Sequence, residues 1–116
     1  MANENQERAI YIAGPMRGKE SGNFKAFRDA EIWLEGKGWN VINPQRISTA
    51  FGGDYFIQGH PARLDAVMKA ERDFVKYCDA IYLLKGWECS EGAKGELAEA
   101  IRNGLEIIVG DEGGEG

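Results

Sequence analysis

Four short apolar runs, at residues 8–13, 39–43, 79–84 and 105–109, are each separated by enough chain to hold a helix. The first is Ile10-Tyr11-Ile12-Ala13, stopped by Gly14 and Pro15, and the third is Ala80-Ile81-Tyr82-Leu83-Leu84. Such runs are continuous rather than alternating, as expected of parallel strands buried on both faces. Between them the apolar residues follow a helical period. Asn23 is placed to cap a helix running to about Gly36, with Phe27, Ala30 and Leu34 on one face and Gly36 and Gly38 ending it. Pro61 suits the first turn of a second helix, whose stripe is Leu64, Val67, Met68, Glu71, Phe74, Val75 and Cys78. A third helix is expected from about Ser90 to Asn103, with Ala93, Leu97, Ala100 and Ile101 inward and Gly104 ending it. The order β-α-β-loop-α-β-α-β predicts an α/β fold, a parallel sheet of four to five strands with helices on both faces.

The chain has 116 residues, 43% of them hydrophobic, which is the size and content of one domain. We place that domain at residues 1–109 and read 110–116 as a flexible Gly/Glu tail with nothing to bury. The net charge of -5 argues against a nucleic-acid partner, which usually meets a basic face. No stretch approaches the roughly 20 apolar residues of a membrane span, and the polar, acidic first residues do not read as a signal peptide. Only Cys78 and Cys89 are present, at a spacing that fits no zinc pattern, so reduced thiols and a cytoplasmic location are expected. With a single His, no metal and no cofactor are expected.

Ligands of such sheets bind beyond the carboxyl ends of the strands. That rule gathers the loops 14–22, 43–60 and 85–92. Gly14-Pro15-Met16-Arg17-Gly18 leaves the first strand; its glycines allow close backbone approach, and Arg17 offers a planar fork for phosphate or carboxylate. An ordinary turn with a solvated Arg fits as well. The turn is neither G-x-G-x-x-G nor a Walker loop. Ser90 and the free N–H groups around Gly92 can hold an anion, or Ser90 can simply cap its helix. Glu96 is one residue off the inward stripe and points toward the crevice, or it is a solvated acid favoured by the helix dipole. Glu71 sits among apolar neighbours, where a carboxylate needs a partner or a proton. A structural Glu bonded to a backbone end is the plain alternative, while an acid near apolar groups beside a second carboxylate is how glycosidic chemistry separates acid from nucleophile. Trp87 can stack on a base or cover the core, the Tyr11 hydroxyl needs a partner, His60 reads as a lone loop residue, and Asp79 as a helix cap.

Taken together, Tyr11-Ile12-Ala13-Gly14-Pro15-Met16-Arg17-Gly18, then Asn23, Phe27 and Glu31, then Val41-Ile42-Asn43-Pro44, then residues 78–87, then Ser90-x-Gly92-Ala93-x-x-Glu96, resemble a small family of unknown function common in phage and prophage genomes. That family in turn is similar to the nucleoside 2-deoxyribosyltransferases and the 2'-deoxynucleoside 5'-phosphate N-hydrolases. The resemblance implies a flavodoxin-like doubly wound three-layer sandwich. It implies cleavage of a base–deoxyribose bond, with Glu96 as nucleophile, Ser90 as phosphate ligand, Tyr11 as the active-site tyrosine and Glu71 as the acid attending the base. The related enzymes carry Asp where this chain has Glu71, and the hydrolases carry Ser where it has Pro15. The substrate expected is a deoxynucleoside or its 5'-monophosphate, held by Gly14, Met16, Arg17, Gly18, Ser90, Gly92 and Trp87. A homodimer or larger homo-oligomer is also implied, in the cytoplasm of a bacterial host. The alternative reading of the same crevice is a module that binds a nucleotide without chemistry.

Overall fold

The structure is a computed structural model that describes residues 8–16, 23–45 and 61–110, and of residues 61–68 the helical backbone alone. Strands β1 (Ala9–Ala13), β2 (Asn40–Ile42), β3 (Ala80–Leu83) and β4 (Glu106–Val109) form one parallel sheet in the order β2-β1-β3-β4. Helices α1 (Phe24–Gly36), α2 (Pro61–Lys76) and α3 (Glu91–Arg102) connect them. The chain steps from β1 outward to β2, then returns past β1 to β3, which is the doubly wound flavodoxin-like order and puts a switch point between β1 and β3. Each strand is a residue or two shorter than its apolar run.

Side chains of β1 alternate across the sheet, and this sorts the core into two layers. Ile10 and Ile12 pack under α1 against Phe27, Ala30 and Leu34. Tyr11 and Ala13 face the other way, toward Val75 and Cys78 before β3 and Ala93 and Ala100 of α3. Helices therefore cover both faces in a three-layer sandwich, and the central strands are apolar throughout because neither face meets water. Among the described residues no helix is long and apolar enough to cross a membrane.

Several local expectations change once the layers are assembled. Asn23 does precede α1, yet its backbone is left-handed (φ 67°) and its side chain makes no capping bond. A capping residue needs extended backbone; here the Asn23 Nδ2 donates instead to the Pro15 carbonyl at 2.9 Å. Phe74, expected on the inward stripe of α2, is 45% exposed. The buried arc is centred on Glu71, Val75 and Cys78, and Phe74 lies about 60° around the helix from Glu71. Ile101 is likewise 60% exposed rather than inward. α3 packs against α2, and its buried residues Ala93, Glu96, Glu99 and Ala100 set an arc rotated toward Glu96 and away from Ile101. Asp79 does not cap α2: its carboxylate accepts from the Ala9 N–H at 2.8 Å and ties the starts of β1 and β3 together. Gly110, assigned to the tail from composition, is buried, donates to the Leu83 carbonyl at 2.9 Å, and has no room for a Cβ beside the Tyr82 hydroxyl. Residues 111–116 lie outside the described residues.

β1 and β3 leave the sheet in contact. The Leu84 N–H donates to the Ala13 carbonyl at 2.8 Å, and a Cβ on Gly14 would stand 2.7 Å from that of Leu84. Only a hydrogen fits there. Gly14→Ala is expected to destabilise the fold by about 1–3 kcal/mol through overpacking, read as a lowered midpoint of urea unfolding with an unchanged slope.

Candidate active site

The α2–α3 face of the sheet brings together three polar side chains from distant parts of the chain. Tyr11 reaches them because the alternation of β1 turns it to this face. Glu71 lies in the buried arc of α2 and Glu96 in that of α3. All three are nearly sealed from water, at 0%, 3% and 4% exposure respectively. The Tyr11 hydroxyl donates to Glu96 Oε2 at 2.8 Å. Glu71 and Glu96 lie within hydrogen-bonding reach of each other, which two carboxyls can use only when one holds a proton. Glu71 Oε2 is buried without a hydrogen-bond partner.

Two other buried acids show what a structural carboxylate looks like in this fold. Glu31 of α1 accepts from Asn43 Nδ2 at 2.9 Å, and Glu99 of α3 is bonded by Arg102 and Asn103. Those acids meet amide or guanidinium donors, as buried carboxylates ordinarily must. Glu71 and Glu96 meet each other and a phenol.

The consequence is electrostatic. Burial, and then the charge and hydrogen bond of Glu96, push Glu71 up to about 10, against a smaller opposing effect of Arg72. Burial raises Glu96 less, to about 7, because hydrogen bonds from Glu71 and Tyr11 and the charge of Arg72 favour its ionised form. Burial and the two carboxyls raise the Tyr11 phenol well above its ordinary value, so it stays a donor. At neutral pH the pair keeps one proton, on the Glu71 side, and Glu96 is the group that ionises. Cys78, on the same face, is pushed up to about 12 by burial and then by Asp79, which keeps it a thiol and a poor nucleophile.

The remaining candidates fall around this cluster unevenly. Gly14 and Pro15 are buried at the exit of β1, and Met16 packs against the α1-side core, across the sheet from the carboxyls. Ser90 takes the capping role: its Oγ accepts from the Ala93 N–H at 3.1 Å at the start of α3, with Gly92 half-buried in the first turn. Trp87, in the short 3-10 turn Trp87–Cys89, is half-buried against the Tyr11 side of the core, so the contact seen is the covering one. Arg17, Gly18 and His60 lie outside the described residues, as do the side chains of Leu64, Val67 and Met68. Sequence reasoning missed Arg72, whose charge acts on both carboxyls; a cation next to an acid on an apolar stripe was the available signal.

Fold and site together define a flavodoxin-like α/β domain that carries a buried, proton-sharing carboxyl pair with a tyrosine donor. The chain belongs to the family described as the domain of unknown function DUF4406, which it matches over residues 8–109. No curated protein sequence matches it significantly.

Proposed function

We propose that this protein cleaves the N-glycosidic bond of a deoxynucleoside or its 5'-monophosphate, by hydrolysis or by transfer to a second base. The observation that carries the reading is the carboxyl pair, with one member ionising near neutrality and bonded by a phenol at 2.8 Å, the other protonated. Separating an acid from a nucleophile by environment is what this chemistry requires. The similarity of the Tyr11, Ser90 and Glu96 settings to the deoxyribosyltransferases and the deoxynucleotide N-hydrolases supports the same assignment.

In this scheme the Glu96 carboxylate attacks C1', forming an ester as the base leaves with the bonding electrons. The proton of Glu71 goes to the departing base. Water or a second base then attacks C1', giving up its proton to Glu71 as the ester bond breaks and Glu96 leaves as the carboxylate. Tyr11 orients Glu96 and steadies its charge. Gly14, Met16, Arg17, Gly18, Ser90, Gly92 and Trp87 are the residues proposed to hold the sugar or phosphate end, in a homo-oligomer.

The test is incubation with a panel of deoxynucleosides and their monophosphates, following release of free base by chromatography. A tight nucleotide ligand found by thermal shift without any product would favour the binding-module reading instead. The pH profile offers a second check. kcat/KM should rise as Glu96 ionises near pH 7 and fall as Glu71 loses its proton near pH 10. Tyr11→Phe removes a donor from ionised Glu96, so the acidic limb should move to higher pH and the rate at pH 7 should drop by roughly tenfold or more. An acidic limb that stays in place would show that Tyr11 does not act on the titrating group.

A further inference from the structure

We infer that Asn23 is a positioning residue, which holds the exit turn of β1 in place as one wall of the ligand crevice; its bearing on ligand rests on the function proposed above. Asn23 is the only residue other than glycine with a positive φ among the described residues. Local stability alone would favour the opposite arrangement. A residue in this place gains most by taking extended backbone and capping the N–H groups of α1 with its side chain. Asn23 does neither. It accepts a left-handed backbone, which a β-carbon makes unfavourable, and spends its side-chain donor on the Pro15 carbonyl eight residues earlier. A local rule broken in favour of one long-range bond marks a position set by the needs of another segment.

That segment is held from the other side as well. Gly14 lies against the Leu84 side chain, and Gly86, itself at φ 91°, lies under the Pro15 ring, where a Cβ would stand 3.4 Å from Pro15 Cγ. The exit turns of β1 and β3 therefore interlock through their glycines, and Asn23 closes the clamp from the start of α1. The fixed turn begins three residues after Tyr11, just past the end of β1, where the sheet topology places a ligand. Pro15 can offer such a ligand no N–H, and its carbonyl is already engaged by Asn23. At Pro15 the turn thus contributes shape, and shape is what a tether maintains.

Two substitutions separate the tether from the strain. Asn23→Gly takes the left-handed backbone freely and loses the donor. Asn23→Asp keeps the size and also loses the donor. In the intact chain, both are expected to speed amide hydrogen exchange at Leu84, whose N–H bonds Ala13 beside the clamp, by at least tenfold. Exchange at Asp79, whose N–H bonds Ala9 at the far end of the same two strands, should stay unchanged. With a deoxynucleoside substrate, KM should rise about tenfold with kcat within twofold and the pH profile retained. Unchanged exchange at Leu84 in both variants overturns the clamp. Faster exchange with unchanged KM makes the tether structural only and overturns the positioning role. If the wild-type protein turns over no nucleoside, the function proposed above fails, the link to ligand is withdrawn with it, and the exchange result alone decides whether Asn23 holds the turn.

Discussion

Glu96→Gln is expected to abolish base release, lowering kcat by on the order of 10³-fold or more, while the protein stays folded. The amide has the shape of the acid but cannot form the ester at C1'. Its structural cost is small for a specific reason: the pocket already favours a neutral group, since burial is the largest influence on Glu96. The amide oxygen can still accept from the Tyr11 hydroxyl, and the amide nitrogen can donate to Glu71. Melting followed by circular dichroism should place the variant close to the wild type at pH 7. Base release at the wild-type rate would remove Glu96 from the nucleophile's role, and leave the carboxyl pair as a binding element.

The second large effect is a loss of stability on raising the pH. Glu71 has an ordinary value of 4.5 and is held near 10 in the fold, and Glu96 goes from 4.5 to about 7. Between those limits the folded chain binds more protons than the unfolded one, so stability falls as pH rises. The stabilisation is complete below pH 4.5. It declines from there, through about 7 for Glu96 and about 10 for Glu71. The melting temperature should therefore drop by more than about 10 °C between pH 5 and pH 9. Glu71→Gln carries a permanently neutral group in the same place, so its melting temperature should change much less over that range and exceed the wild type's at pH 9. A wild type and a Glu71→Gln variant with parallel melting curves across the range would show that Glu71 is ionised throughout. The same variant should turn over slowly at every pH, because it has no proton to give the departing base.

How much of this was legible in the chain depends on the range of the interaction concerned. Strand and helix positions follow from short windows, and the order of the elements predicts the parallel sheet, covered by helices on both faces, that is found. The depths of side chains on the helices were less legible. Phe74 and Ile101 satisfy a helical period yet lie exposed, because the buried arc is set by which neighbour a helix meets, and the arc of α3 turns toward α2. Asn23 shows the same limit at a helix end. Its residue type and place read as a cap, while the competing demand comes from Pro15, in another element. Ser90 had two readings, and the bond seen is the local one, capping α3.

The site divides along the same line. From sequence, Glu71 is an acid that burial would make costly, Glu96 an acid at the head of a helix, and Tyr11 a phenol that needs a partner. Those statements concern one residue each, and they hold. That the three partner one another was decided only by the tertiary structure, which folds positions 11, 71 and 96 onto one face of the sheet. The same is true of which acid keeps the proton: the answer comes from desolvation and from the donors each carboxyl meets, and both are supplied by parts of the chain far from it. Sequence by itself determined the layered α/β architecture and the inventory of groups able to do chemistry. Their contact and their charge states came from packing, because the free energy of a buried carboxyl belongs to its surroundings.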